Sequence, residues 1–151
     1  MPRSAQVKAR GRDPGLSTGR AIHRFASTAA TVVEHLYAVG LKPDWWKLEP
    51  QPSAAAWDHV EAAIRSGDPH CRGVLLLGFD APEGELIEAF SRAAGNPIVK
   101  GFAIGRTIFA DVARTWLAGG LADGEAVSAM ADRFRRLSAN WDEAARRQAA
   151  A

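Results

Sequence analysis

Three observations in the sequence predict an α/β fold built from about three βα units. Apolar runs suited to strands are centred near Lys47, Leu76 and Phe102, 29 and 26 residues apart. Each is followed by a stretch whose apolar residues recur at helical spacing. Strands that alternate with helices in this way imply a parallel sheet. A (β/α)8 barrel uses eight such units in roughly 250 residues. At 151 residues, three parallel strands with covering helices read as part of a barrel. A flavodoxin-like doubly wound sheet is the alternative, although it ordinarily fits five strands into this length.

Each element has its own signals. Residues 1–20 are rich in Gly, Pro, Ser and Arg and read as a disordered, basic lead-in. From Ala21 to Val39, the positions Ile22, Phe25, Ala29, Val32, Val33, Leu36 and Tyr37 keep helical spacing, and Gly40 closes the helix. A short strand over Asp44–Glu49 ends at Pro50 and Pro52. Ser53 is placed to cap a helix through Trp57, Val60 and Ile64 that ends near Gly67. Arg72–Phe79 is a continuous apolar run, the pattern of a parallel strand covered on both faces. Pro82 and Glu83 open a third helix that stops at Gly95-Asn96-Pro97. Ile98–Ile104 is the third strand, and a fourth helix is expected from near Phe109 to Leu117. Gly119-Gly120 breaks it, and Asp123 is expected to cap a last helix through Met130, Phe134, Leu137 and Trp141. The globular domain is therefore set at 21–147.

Composition excludes several classes of function. No apolar run approaches the ~18 residues of a membrane helix, so no membrane partner is expected. No apolar h-region follows the N-terminal basic residues, which argues against secretion. The single cysteine, Cys71, suits a reducing cytoplasm. Residues 1–24 carry Arg3, Lys8, Arg10, Arg12, Arg20 and Arg24 against Asp13. The remainder holds 13 basic and 16 acidic residues, so the positive net charge belongs to the tail. That tail has no aromatic residue for base stacking and no dense cationic cluster, so no nucleic-acid partner is expected. His23, His35, His59 and His70 lack metal-ligand spacing with one another or with Cys71, and no metal site is expected.

Function in parallel α/β folds gathers at the C-terminal ends of the strands. At the first end, Lys47 and Glu49 are two residues apart and face the same side of a strand. Inside an apolar barrel, desolvation disfavours an ammonium ion and leaves amine free to form a Schiff base with a carbonyl. Glu49 could then carry protons. The same pair reads equally as an interior ion pair. At the second end, Gly78 allows a ligand close to the backbone, and Asp80 reads as a helix cap. At the third, Gly105 and Arg106 stand just before a helix, where backbone N–H groups and a guanidinium suit an anion such as phosphate. Arg106 paired with a carboxylate is the structural alternative.

The stretches LYAVGLKPDWWKLEPQ, AAWDHVEAAI, DPHCRGVLLLGFDAPEGEL and VKGFAIGRTIFADVARTWLAGG resemble the C-terminal domain of bacterial 5-dehydro-2-deoxygluconokinase. That domain is fused to a sugar kinase of myo-inositol catabolism. The resemblance covers roughly Leu36 to Trp141. The domain in turn resembles class I aldolases of the tagatose-bisphosphate and sulfofructose-phosphate type. The resemblance implies the C-terminal part, about strands 6–8, of an aldolase-type (β/α)8 TIM barrel. It implies a Schiff-base lysine at Lys47, in the word Lys47-Leu48-Glu49, and a phosphate held near Gly105-Arg106. Strands 1–5 and the kinase domain have no counterpart in this sequence, and kinase activity is not expected.

Three functional expectations follow. The first is a class I aldolase-type carbon–carbon lyase acting on a phosphorylated keto-sugar, with Lys47 and Glu49 catalytic and Gly78, Gly105 and Arg106 at the phosphate. Schiff-base chemistry requires no cofactor, and none is expected. The second is a phosphosugar-binding or regulatory domain, and the third is an inactive remnant. Three apolar parallel strands leave two edges and one face uncovered, so self-association, or docking on a kinase or barrel-completing chain, is expected.

Overall fold

The computed structural model describes residues 28–78 and 81–150. The lead-in over 1–20, the segment 21–27 of the first expected helix, and Phe79 and Asp80 lie outside them. The described elements run α1 (Thr28–Ala38), β1 (Trp45–Leu48), α2 (Ala54–Gly67), β2 (Gly73–Leu77), α3 (Glu83–Ala93), β3 (Val99–Ala103), α4 (Arg106–Leu117) and α5 (Asp123–Ala149). The three strands form one parallel sheet in the order β1-β2-β3. The described residues therefore form an α/β structure of three parallel strands and five helices, as the alternating pattern predicts.

Local chemistry sets most boundaries. At the end of α1, Gly40 takes a φ of 89°, its N–H donates to the Tyr37 carbonyl, and Leu41 N–H reaches back to the Leu36 carbonyl. The same motif ends α4: Gly119 has a φ of 75°, its N–H meets the Trp116 carbonyl, and Gly120 N–H meets the Thr115 carbonyl. Glycine supplies the left-handed residue both turns require. Ser53 caps α2 as expected, its hydroxyl accepting from Ala56 N–H at 3.2 Å.

Two helix starts differ from expectation. α4 begins at Arg106, three residues before Phe109. The Gly105 carbonyl accepts from both Ile108 N–H and Phe109 N–H, which closes the first turn that early. Arg106 thus sits inside the helix and not in the loop before it. Asp123 is the first residue of α5 and not its cap. Its carboxylate instead accepts from the Trp116 indole at 2.8 Å, while Glu125 accepts from Ala122 N–H.

Among the described residues, the sheet is covered on one face. Trp46, Val74 and Leu76 alternate along β1 and β2 into a core shared with Trp57, Val60 and Ile64 of α2 and Leu86 and Phe90 of α3. Register aligns Leu48, Leu76 and Phe102 across the three strands on that side. Phe102 stacks on Phe90 at 5.1 Å between centroids, and Trp141 of α5 meets Phe90 edge-on at 5.4 Å. On the other face, Trp45 is 43% exposed, Lys47 is exposed, and Leu75 and Leu77 are half-buried. The expectation that β2 is covered on both faces is therefore not met within the described residues. The apolar run reports hydrophobicity, but only alternate side chains find helices to pack against. Val32 and Phe134 likewise keep helical spacing yet stay 50% and 53% exposed.

One polar contact locks β1 to α1. The buried Trp46 indole donates to the Tyr37 hydroxyl at 2.9 Å, with the rings edge to face. Burial pushes the Tyr37 phenol's pKa above its ordinary value. A Cβ on Gly67 would overlap the Tyr37 ring, so α2 must carry glycine there for that ring to fit. Tyr37→Phe should leave the indole N–H unsatisfied and cost about 1–3 kcal/mol, read as a lowered urea midpoint at unchanged slope. An unchanged midpoint would show that the bond contributes nothing net.

Candidate functional site

Four of the five residues singled out from sequence meet in one place. Lys47, Gly78, Gly105 and Arg106 line a cleft of about 310 Å³ with Leu77, Ala103, Ile104, Thr107 and Phe109. The cleft lies at the C-terminal ends of β2 and β3, where a parallel sheet ordinarily holds its ligand. Parallel register explains the meeting: Lys47 pairs with Leu75, and Leu77, two residues further on, pairs with Ala103. Side chains two residues apart share a face, so Lys47, Leu75 and Leu77 all project from the uncovered side. Arg106 enters from the first turn of α4, where backbone N–H groups carry the positive end of the helix dipole.

The fifth residue, Glu49, stands one residue past the end of β1, is exposed, and does not line the cleft. No salt bridge joins it to Lys47 among the described residues. Lys47 is itself exposed, so the apolar enclosure expected around it is not supplied by the described residues. Gly78 is buried, and a Cβ there would lie 2.9 Å from Ile104 Cγ1. Its small size thus serves strand-to-strand packing beneath the cleft. Asp80, expected as a cap, lies outside the described residues.

Thr107 and Phe109 are the cleft residues that motif reading missed. The Thr107 hydroxyl donates to the Ala81 carbonyl at 3.2 Å and ties the start of α4 to the chain entering α3. A Cβ on Gly105 would stand 3.0 Å from the Phe109 ring, which is 45% exposed beside the cleft. Both sit in the quoted stretch from Val99 to Gly120, but nothing in it gave them a role in the site; the early start of α4 turns both toward the strand ends. Among the described residues, no group of three or more His, Cys, Asp or Glu side chains is placed to hold a metal. No described helix is long and apolar enough to cross a membrane.

Behind the cleft, α4 is braced against α5 by a bidentate pair between Asp111 and Arg133. The Arg133 guanidinium also donates to the Ile108 carbonyl at 3.4 Å. Hydrogen bonding from Arg133 holds the Asp111 carboxyl well below its ordinary pKa, and Asp111 raises that of Arg133. A depressed carboxyl stabilises the fold above its unfolded-state pKa, and that contribution is lost as pH falls through the folded value. Asp111→Asn should therefore lower the thermal midpoint at neutral pH and narrow its gap to the parent as pH drops below about 3.8. A gap that stayed constant down to pH 2 would show that the pair carries no proton linkage.

A family model described as an uncharacterised protein conserved in bacteria (DUF2090) matches residues 16–145. No curated protein and no solved structure matches the chain.

Proposed function

We propose, for a chain that belongs to this bacterial family of uncharacterised proteins, that it supplies the nucleophile and phosphate anchor of a class I aldolase-type site acting on a keto-sugar phosphate. The observation that carries this reading is the shared cleft: Lys47 and Gly105-Arg106 line one concavity at the C-terminal end of a parallel sheet. The sequence words around these residues support it. They resemble the aldolase-like C-terminal domain of 5-dehydro-2-deoxygluconokinase, and with it the (β/α)8 barrel and a substrate from inositol catabolism.

On this reading Arg106 and the first turn of α4 hold the phosphate. The unprotonated Lys47 amine adds to the keto carbon, and loss of water leaves a protonated imine. That cation accepts the electron pair of the Cα–Cβ bond as the β-hydroxyl gives its proton to water and leaves as a carbonyl; the enamine that remains takes a proton at carbon, and hydrolysis of the imine so formed frees Lys47. The exposure of Lys47 favours a second reading, binding of the phosphosugar without chemistry. Chemistry requires cover over the uncovered sheet face, from a second copy or a barrel-completing chain. In that assembly Trp45, Leu75 and Leu77 leave water together with the lysine.

Two outcomes separate the readings. Dihydroxyacetone phosphate with borohydride should add mass at Lys47, and Lys47→Met should abolish the adduct. Absence of any adduct in the parent would favour binding alone. The same phosphosugar at 100 times its Kd should stabilise the parent by about 2.7 kcal/mol. Arg106→Ala should lose most of that effect, and equal stabilisation of the two proteins would remove Arg106 from the phosphate site.

A further inference from the structure

We propose that a second cleft, on the helical side of the molecule, is a binding site for a small phosphate-bearing metabolite distinct from the ligand of the Lys47 cleft. It measures about 370 Å³, and its charged residues are Glu83 at the start of α3, Arg106, Asp111 and Arg114 of α4, and Arg133 and Arg136 of α5. Four guanidiniums face two carboxylates, which leaves two positive charges in excess. A phosphate group carries about −1.5 to −2 at neutral pH and complements that surplus.

The arrangement differs from a surface ion-pair network in how its arginines are held. Two are fixed by carboxylates of neighbouring helices: Arg133 by Asp111, and Arg136 by Glu83 at 3.2 and 3.3 Å. Each pair occupies one edge of a planar guanidinium, so N–H donors remain on both arginines. The other two, Arg106 and Arg114, form no salt bridge among the described residues. They stand two helical turns apart, about 12 Å along α4 at ~1.5 Å per residue. Ala110 lies between them and keeps the floor of the cleft open. Four planar donors around a concave floor suit the oxygens of a tetrahedral dianion.

The lining also says what the ligand lacks. Among the described residues, no aromatic residue borders this cleft, and they provide no surface for stacking a nucleobase. The Thr107 hydroxyl is already engaged by the Ala81 carbonyl. The recognised chemistry is therefore the phosphate itself with a short polar appendage. Inorganic phosphate and a phosphate monoester share that chemistry.

Arg114 separates this site from the first, because it lines only the second cleft, whereas Arg106 borders both. Its side chain is exposed and makes no hydrogen bond among the described residues, so Arg114→Gln leaves the packing intact. The test is calorimetric titration of the full chain with inorganic phosphate and with glycerol phosphate, at ionic strength held constant with potassium chloride. Arg72→Gln, at an exposed arginine that lines neither cleft, serves as the charge control. The expected result is phosphate binding that Arg114→Gln weakens by roughly tenfold or more and Arg72→Gln leaves unchanged. Tighter binding of glycerol phosphate would identify a monoester as the ligand, and equal or weaker binding the free anion. Equal affinity in the parent and Arg114→Gln, or no heat beyond that of chloride, would overturn the proposal.

Discussion

The structure depends on one constraint: a three-stranded parallel sheet whose described helices all bury the same face. Every inward side chain of the sheet, from Trp46 through Val74 and Leu76 to Phe102, has a helical partner. The alternate residues, Trp45, Lys47, Leu75 and Leu77, face the opposite way with none among the described residues. Both features of the candidate chemistry follow from this asymmetry. The uncovered face gives Lys47 access to a ligand, and it withholds the dry surroundings that Schiff-base chemistry favours. On the proposed reading, a lysine placed this way is half of a site, and its other half comes from whatever covers the sheet.

The helices that cover the inner face also build the second concavity. α5 runs 27 residues and packs along both α3 and α4. Its half-buried Trp141 packs on the buried Phe90 at the edge of the core, while Arg133 and Arg136 lie toward the start of α4. The same helix thus closes the core with an apolar stripe and arms the neighbouring cleft with charge. Arg106 is the hinge between the two clefts. It belongs to the first turn of α4, and that turn begins early only because the Gly105 carbonyl accepts two N–H donors.

How legible these features were in the sequence depends on how local their causes are. Gly40, Ser53 and Gly119 are short-range signals, acting within about five residues, and their helix ends fall where the sequence places them. The meeting of Lys47 with Arg106 was legible because strand period and βα order suffice to bring strand ends together. The start of α4 was not, since no side-chain cap precedes Arg106 and the closing bonds are made by backbone. One-sided cover of β2 was hidden because Val74 to Leu77 are apolar at every position, which erases the alternation that would reveal the faces. The arginine cleft was hidden for another reason: its residues come from three helices, α3, α4 and α5, between positions 81 and 136, and converge only through the packing of those helices.

The proposed site requires a partner surface over the sheet face that the described residues leave uncovered. Among the described residues, Trp45, Leu75 and Leu77 stay partly exposed on a sheet whose two edges are unpaired, the pattern from which association is proposed. Sedimentation velocity of the purified chain across the micromolar range measures this directly. The account predicts a sedimentation coefficient that rises with concentration as chains associate. A monodisperse monomer that unfolds cooperatively and cleaves a keto-sugar phosphate at full rate would contradict it.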